Sequence, residues 1–184
     1  MASTEWQSQK VHGRDKVLKN IEARYGNQVV QDARAVMHDY EVDMYRLVMA
    51  LGRHYGMDTA YAIMSETVAE KRLKWLEKVR PTLELSGTEV EKGLALYLRY
   101  FQPKEADFKI LALTEEKVLF RRRDFVDAIA HACRVLGLDV IEVNNKVYAQ
   151  AMNLMFKKLN LGLKHVFLAC RDGWYDEVIE KTQA

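Results

Sequence analysis

The sequence is poor in the residues that build the most recognisable functional motifs. It has only two cysteines and two prolines, and its nine glycines form neither a GxGxxG pattern nor a phosphate-binding P-loop. The cysteines, Cys133 and Cys170, have no CxxC spacing, and no HExxH, haem-attachment or GxSxG motif is present. These absences exclude Rossmann dehydrogenases, P-loop kinases and classical serine hydrolases. We predict no metal and no cofactor.

The sequence also lacks a strong excess of charge and a long apolar run. Its 28 Lys and Arg against 26 Asp and Glu give a net charge of +2. A general nucleic-acid binder normally has a sustained basic surface, so no nucleic-acid partner is predicted. The apolar runs are shorter than the roughly 18 to 20 residues of a membrane span, and no secretory leader pattern is found. We therefore expect a cytoplasmic protein with no membrane partner and with reduced thiols. A disulfide between Cys133 and Cys170 is the alternative.

The first hundred residues have the apolar spacing of helices. A polar lead-in over residues 1–12 is predicted to be poorly ordered. From about residue 28 to Tyr55, apolar residues recur at three- and four-residue steps and predict one long helix. A second helix is predicted from an N-cap at Asp58 to about Arg80. Thr88 and Glu91 have the spacing of a capping box, which predicts a third helix.

After Pro103 the pattern changes to short β-rich runs. FKILAL and KVLFR flank the polar turn TEEK, and LKHVFLAC and WYDEVIE flank RDG, so two hairpins are predicted. Between them, helices are predicted from Asp124 to near Gly137 and from Val140 to Leu159. The predicted fold class is therefore α+β. One composite globular unit is expected to combine a helical region, residues 1–103, with a β-β-α-α-β-β region, residues 104–184, that holds a small, mostly antiparallel sheet.

This order of elements, with the strings LTEEKVLFRRRDF and ACRDGWYDEVIEK, resembles a bacterial family of proteins related to L-2-amino-thiazoline-4-carboxylic acid hydrolase. The resemblance covers about residues 28–180 and implies a helical half followed by a small α+β half. It also implies one cysteine at the position of Asp124 and another after the glycine turn of GWYDE. Both are missing here, so the resemblance carries over the scaffold and not the chemistry of those thiols.

Three consecutive arginines end the second predicted strand. Because side chains alternate along a strand, Arg122 is expected on the face of Val118 and Phe120, and Arg121 and Arg123 on the other face. One interpretation is that these arginines are simply exposed to solvent at the end of an edge strand, where positive charge also prevents aggregation. The functional alternative is that Arg121 or Arg123 clamps a ligand carboxylate, because a guanidinium can donate two parallel hydrogen bonds to it.

Titratable residues in the same half are candidates for catalysis. Asp127 and His131 are four residues apart, and a carboxylate that orients an imidazole can make it a general base. The alternative is an exposed surface pair. His165, on a later strand, is either a third catalytic group or a hydrogen-bonded core histidine. Tyr148 is a further candidate for ligand binding.

Two classes of function remain open. The first is a small-molecule protein with a pocket between the sheet and the helices, which either binds an apolar acid or acts as a divergent hydrolase-like enzyme. The second is a non-enzymatic interaction or assembly protein that docks a partner through its long helices. We also predict a homodimer, because Tyr97, Tyr100 and Phe101 crowd one short helix more than a single buried face usually needs.

Overall fold

A computed structural model describes residues 27–103, 105–124 and 127–182 of the chain. The predicted lead-in at residues 1–12 lies outside these ranges. Helices come first: α1 (Asn27–Tyr55), α2 (Met57–Val79), a 3-10 turn (Arg80–Thr82) and α3 (Glu89–Phe101). No helix in the described ranges is both long enough and apolar enough to cross a membrane.

The second half begins with a 3-10 turn (Glu105–Asp107) and a hairpin of β1 (Phe108–Leu113) and β2 (Lys117–Arg123). It continues with α4 (Ala128–Leu136), α5 (Val140–Val143), a π-helical segment (Asn144–Ala149) and α6 (Gln150–Lys158), and it closes with β3 (Leu163–Arg171) and β4 (Trp174–Lys181). The strands form one sheet in the order β1-β2-β4-β3, and every pairing is antiparallel. The predicted α+β class and element order are confirmed.

Helix ends follow local chemistry, and two predicted ends are wrong. The predicted capping box is confirmed, since Thr88 and Glu91 exchange side-chain to backbone hydrogen bonds. Asp58 is not an N-cap: Gly56, at a positive φ of 85°, separates α1 from α2, and the carboxylate of Asp58 instead binds Lys146. The helix predicted from Asp124 begins at Ala128, because the backbone of Asp127 is left-handed, with a φ of 50°.

The helices cover one face of the sheet, which we call the inner face. One apolar core joins α2 and α3 to β2, α6 and β4 and includes Leu76, Leu96, Phe120, Phe156 and Ile179. A second core joins α1 and α2 to α4, α5 and the π-helical segment. Within the described residues, both cores therefore contain side chains from before and after Pro103.

The two edge strands of the sheet, β3 and β1, differ in how far other parts of the protein cover them. At β3, the amide of Asn145 donates to the carbonyl of Phe167 at 2.9 Å and accepts from its N–H at 2.8 Å. Asn153 accepts from the backbone N–H of His165 at 2.6 Å. These bonds replace strand pairing along that edge. At β1, by contrast, three apolar side chains are about half exposed: Ile110, Leu111 and Leu113.

The aromatic cluster of α3 fills this protein's own core. Tyr97 is fully buried, and Tyr100 and Phe101 pack against the first core. The surplus of aromatic side chains inferred from the sequence therefore does not exist, and the homodimer loses that argument and stays a prediction. Large apolar side chains are exposed on α1 instead: Val36, Tyr40, Leu47 and Tyr55. The assembly alternative also stays a prediction.

Candidate functional site

The inner face of the sheet contains a buried polar network built around Glu177. Its Oε2 accepts from Tyr97 Oη at 2.7 Å and is 2.7 Å from His165 Nε2. Its Oε1 accepts from Arg122 Nε at 3.1 Å, and that same Nε also donates to Tyr97 Oη at 2.7 Å. Because Glu177 accepts, the neutral His165 carries its proton on Nε2. We call these four side chains the inner network.

Burial and charge act in opposite directions within the inner network. Burial alone would raise the pKa of Glu177, but Arg122, His165 and Tyr97 lower it below its usual range. Burial lowers the pKa of His165, and it outweighs the opposing effect of Glu177. Burial also disfavours the charge of Arg122, but Tyr97 and Glu177 raise its pKa above the usual value. The network therefore holds one charged pair, Arg122 and Glu177, with a neutral histidine.

A second buried arginine reaches the same interior from α2. Arg72 is only 3% exposed and donates from Nη1 to the backbone carbonyl of Tyr148, in the π-helical segment, at 2.7 Å. Its guanidinium carbon lies 5.2 Å from the ring centre of Tyr100 and 5.4 Å from that of Phe101. Ser65, also on α2, donates to the neighbouring carbonyl of Val147 at 3.2 Å. These side chains satisfy carbonyls of the segment that packs on α2, which is a structural role.

Of the sequence-predicted residues, His165 lies in the inner network and not in a pocket. It is 1% exposed, its Nδ1 has no hydrogen-bond partner among the described residues, and its neighbours include Phe167 and Phe120. Tyr148 is also a packing residue: its hydroxyl is 3.0 Å from that of Tyr45. This geometry corresponds to the alternative of a hydrogen-bonded core histidine.

Asp127 and His131 are not paired through their side chains. The His131 ring stacks on His38 of α1, with ring centres 4.3 Å apart, and only its backbone N–H bonds to the carbonyl of Asp127. The carboxylate of Asp127 instead lies 3.5 Å from Tyr175 Oη and 3.9 Å from Arg134 Nη2. Among the described residues, His131 and His165 share no hydrogen bond or ring contact, so the three predicted catalytic groups are not brought together.

The arginines divide between the two faces as strand alternation predicts. Arg122 enters the inner face with 13% of its side chain exposed, whereas 46% of the Arg121 side chain is exposed. Arg121 makes two hydrogen bonds to Asp176, at 2.5 and 2.9 Å, so its fork is already occupied. The guanidinium of Arg123 is 5.8 Å from the ring centre of Trp174 on the adjacent strand.

A pocket lies where α4, the loop before α5 and the β3–β4 turn meet. Its volume is about 250 Å³, and we call it the thiol pocket because both cysteines line it. The remaining lining residues are Asp127, Ala130, Arg134, Leu138, Val140, Asp172 and Gly173. Asp127 is thus the one predicted catalytic residue that lines it. A more open depression of about 510 Å³ between α6 and β3 contains no thiol or carboxylate.

Charge and burial give the thiol pocket a defined chemistry. Burial raises the pKa of Cys133 to about 12, and it also raises the pKa of Cys170. Burial and the charge of Asp124 raise the pKa of Asp127. Both cysteines are free thiols. No group of three His, Cys, Asp or Glu side chains in the described ranges is arranged to hold a metal ion.

The candidate site residues that the sequence analysis did not single out are Arg134, Cys133 and Cys170 in the pocket, and it also did not single out Glu177 in the inner network. Glu177 carries a detectable signal, because it alternates with Tyr175 and Ile179 on a strand face that is otherwise apolar. The meeting of the two thiols has no such signal, since it depends on how α4 packs against β3.

No protein-family model matches the chain, and no curated protein matches it. Among solved structures, the chain is similar to the Fe(II) unliganded H-NOX protein from K. algicida, with 12% identity over 93% of this chain and 95% of that chain and a TM-score of 0.43. A mutant of the same protein is 14% identical over 92% of this chain and 94% of that one, with a TM-score of 0.41. These TM-scores are too low to support an argument about fold or function.

Proposed function

We propose that the protein binds a small organic acid in the thiol pocket. The observation that carries this proposal is the convergence of one exposed guanidinium, two carboxyl groups and several apolar side chains in a single concavity. Arg134 supplies the guanidinium, Asp127 and Asp172 supply the carboxyl groups, and Leu138 and Val140 belong to the apolar lining. Small-molecule sites typically have apolar walls and a small number of convergent polar groups.

The volume limits the ligand to a small molecule. About 250 Å³ is below the range of roughly 300 to 1,000 Å³ that is common for drug-sized ligands. A single ring or short chain with one acid group therefore fits the space, and a nucleotide or a haem does not.

Arg134 is the group best suited to recognise the acid. Its side chain is 72% exposed, and its 3.9 Å separation from Asp127 is too long for a hydrogen bond. The guanidinium can therefore turn to a ligand carboxylate without losing a strong partner. Burial raises the pKa of Asp127, and in its protonated form this carboxyl group donates a hydrogen bond, whereas its ionised form only accepts.

The thiols support binding more than covalent catalysis. A thiolate is the nucleophilic form of cysteine, and a buried thiol whose pKa is about 12 is almost entirely protonated at neutral pH. His131, which could have served as a base, stacks on His38 and does not line the pocket. As small apolar groups, Cys133 and Cys170 suit the wall of a binding site.

A relationship to the hydrolase-related family remains part of the proposal. The resemblance implies one cysteine at Asp124 and another after the glycine turn, and the backbone N–H of Asp124 donates to the carbonyl of Gly173, in that turn, at 2.9 Å. Gly173 lines the thiol pocket. A pocket shared with the family, but fitted with different thiols, would retain ligand binding while losing the original chemistry.

Thermal unfolding with benzoate, and with benzamide as its uncharged counterpart, tests the proposal. At about 100 times its Kd, a ligand adds about 2.7 kcal/mol, which raises the Tm of a chain of this size by about 5 to 10 °C. We expect a rise with benzoate and a much smaller one with benzamide. Arg134→Ala should abolish the rise, and Arg134→Lys should weaken it because the planar fork is lost. Arg99→Ala, which removes an exposed arginine on α3, is the matched control.

Thiol accessibility provides a second readout of the same site. Benzoate in the pocket should slow the reaction of Cys170 with a disulfide reagent, and Cys170→Ser should remove the protected signal. An equal rise in Tm with benzamide, or a benzoate effect that survives Arg134→Ala, would contradict the proposal.

A further inference from the structure

The strand register brings together a second set of residues, on the sheet face that points away from the helices. We call this the outer face. Its rows, read across the strands, are Arg123, Trp174 and Arg171; then Lys109, Arg121, Asp176 and Ala169; then Ala112, Leu119, Val178 and Val166; and finally Lys117, Glu180 and Lys164. Four separate strands therefore contribute to one continuous surface.

The outer face is basic although the chain as a whole is nearly neutral. Its paired rows contain six Lys or Arg and two Asp or Glu, an excess of four positive charges. The whole chain has an excess of only two. The remainder of the chain is therefore slightly acidic, and the fold separates charges that are interleaved in the sequence.

The two acids of the outer face are already occupied by ion pairs. Asp176 is bound by Arg121, and Glu180 lies 3.0 Å from Lys164 Nζ. Within the described ranges, no ion pair is formed by three of the remaining basic residues: Lys109, Arg123 and Arg171. These three residues surround Trp174 at one corner of the sheet. They outnumber the acids beside them, which are the exposed Asp172 of the adjoining turn and Asp176, on which the charge of Arg171 also acts.

Trp174 is an aromatic platform at the centre of this basic corner. Lys109 Nζ and the guanidinium carbon of Arg123 each lie 5.8 Å from its ring centre, within the range of cation–π contacts. Both side chains are long and exposed, so they can turn away from the ring to contact a phosphate. The indole ring is then accessible for stacking with a nucleobase. The apolar row of Ala112, Leu119, Val178 and Val166 continues the surface toward the far corner, about 20 Å away at about 3.3 Å per residue.

We propose that the outer face binds single-stranded nucleic acid. A flat basic surface with an aromatic platform suits unpaired bases, which stack on aromatic rings while the cations contact the phosphates. A duplex hides its bases and offers no stacking face to Trp174. An anionic membrane would also be attracted by the charge, but the side chains of the apolar row are small or largely covered, and Val178 is buried. None of the named outer-face residues lines the thiol pocket, and the two sites meet at the β3–β4 turn, whose Asp172 and Gly173 line that pocket.

Fluorescence anisotropy with a labelled oligothymidylate, measured over a series of salt concentrations, tests the proposal on the full chain. The variant combines Lys109→Ala, Arg123→Ala and Arg171→Ala. Its matched control removes the same charge from exposed helix positions through Lys71→Ala, Lys78→Ala and Lys158→Ala. We expect the outer-face variant to bind at least about tenfold more weakly. The slope of log K against log salt should decrease by about 2, at roughly 0.7 per lost phosphate contact. The control should bind like the unsubstituted protein.

The aromatic contribution is tested separately. Trp174→Leu should weaken binding about tenfold, whereas Trp174→Phe should largely retain it, because stacking needs a ring. Circular dichroism and the Tm of each variant establish that it is folded. Absence of binding at low salt, an equal loss in the helix control, equal affinity for a duplex, or binding to phosphatidylserine vesicles without binding to the oligonucleotide would each overturn the proposal.

Discussion

Arg121 and Arg122 are neighbours in the sequence, but they belong to two different environments. Arg122 enters the inner face, where Glu177, Tyr97 and the ring of Phe101 surround it. Arg121 lies on the outer face and forms a partly exposed pair with Asp176, with 46% and 24% of the two side chains exposed. The same charged group is thus a buried structural element on one side of the sheet and part of a basic surface on the other.

The difference between the two faces is one of solvation. A buried charge that loses its partner cannot be rescued by water, so the remaining group is left at a high free energy. An exposed pair is screened, and its charges remain hydrated when one partner is removed. Substitutions on the inner face should therefore affect stability, whereas substitutions on the outer face should affect binding and leave the fold intact.

The largest effect is expected from removing the centre of the inner network. Glu177→Ala leaves Arg122 without a buried counter-charge and removes the acceptor of Tyr97 and His165. We expect the free energy of unfolding in urea to fall by about 3 to 5 kcal/mol. Asp176→Asn, one residue away on the outer face, should lower it by less than about 1 kcal/mol. Similar losses from both variants would erase the distinction between the faces.

A smaller effect is expected at the β3 edge, where the helices are anchored to the sheet. Asn145→Ala leaves the N–H and the carbonyl of Phe167 without their side-chain partner. Unsatisfied groups at a partly buried site should lower the free energy of unfolding by about 1 to 3 kcal/mol. Gln150→Ala, which removes an exposed amide from the start of α6, is the control and should have little effect. A loss no larger than that of the control would mean that the hydrogen bonds from Asn145 to the β3 backbone do not stabilise the fold.

The pH dependence of stability should also distinguish the inner face. The pKa of His165 in the folded state is lowered from its unfolded value of about 6.5, so its stabilising effect is present above that pH and is lost as the pH falls. The lowered pKa of Glu177 acts in the same direction at more acidic pH. Each proton contributes a slope of at most about 1.4 kcal/mol per pH unit.

The measurement is urea unfolding at a series of pH values from about 7 to about 5, the range in which unfolded histidine titrates. The slope should be shallower in His165→Phe than in the unsubstituted protein, whereas His54→Gln, at an exposed position on α1, should leave it unchanged. Identical slopes in all three proteins would show that His165 does not contribute to the pH dependence.

Local sequence patterns predicted the local parts of this structure. The capping box at Thr88 depends on residues three apart, and the distribution of Arg121, Arg122 and Arg123 depends only on strand alternation. The hairpins follow from apolar runs separated by short polar turns. Each of these features is determined within a few residues, so a single sequence contains the necessary information.

The parts that were not predicted depend on contacts between distant segments. Arg122 and Glu177 are 55 residues apart and meet only because β2 pairs with β4. The predicted Asp127–His131 pair assumed a regular helix through both residues, but Asp127 has a left-handed backbone and its side chain turns to Tyr175 and Arg134. The sequence identified Asp127 as a candidate site residue, but it did not identify the side chains that Asp127 contacts.

The distribution of charge is a further feature that depends on contacts between distant segments. Our expectation of no nucleic-acid partner came from the net charge of the whole chain, which averages over both faces of the sheet, and it stays a prediction. Register places Lys109, Arg123 and Arg171 on one surface although they come from three different strands. Net charge reports on solubility and on long-range attraction, and a local basic surface requires the fold to be known.

The most direct test is to measure the free energy of unfolding of Arg121→Ala and Arg122→Ala side by side by urea denaturation at neutral pH. The substitutions are chemically identical and adjacent, so only the sheet face differs. We predict a loss of about 3 to 5 kcal/mol for Arg122→Ala and of less than about 1 kcal/mol for Arg121→Ala. Equal losses, or a larger loss for Arg121→Ala, would contradict the assignment of a structural inner face and a solvated outer face.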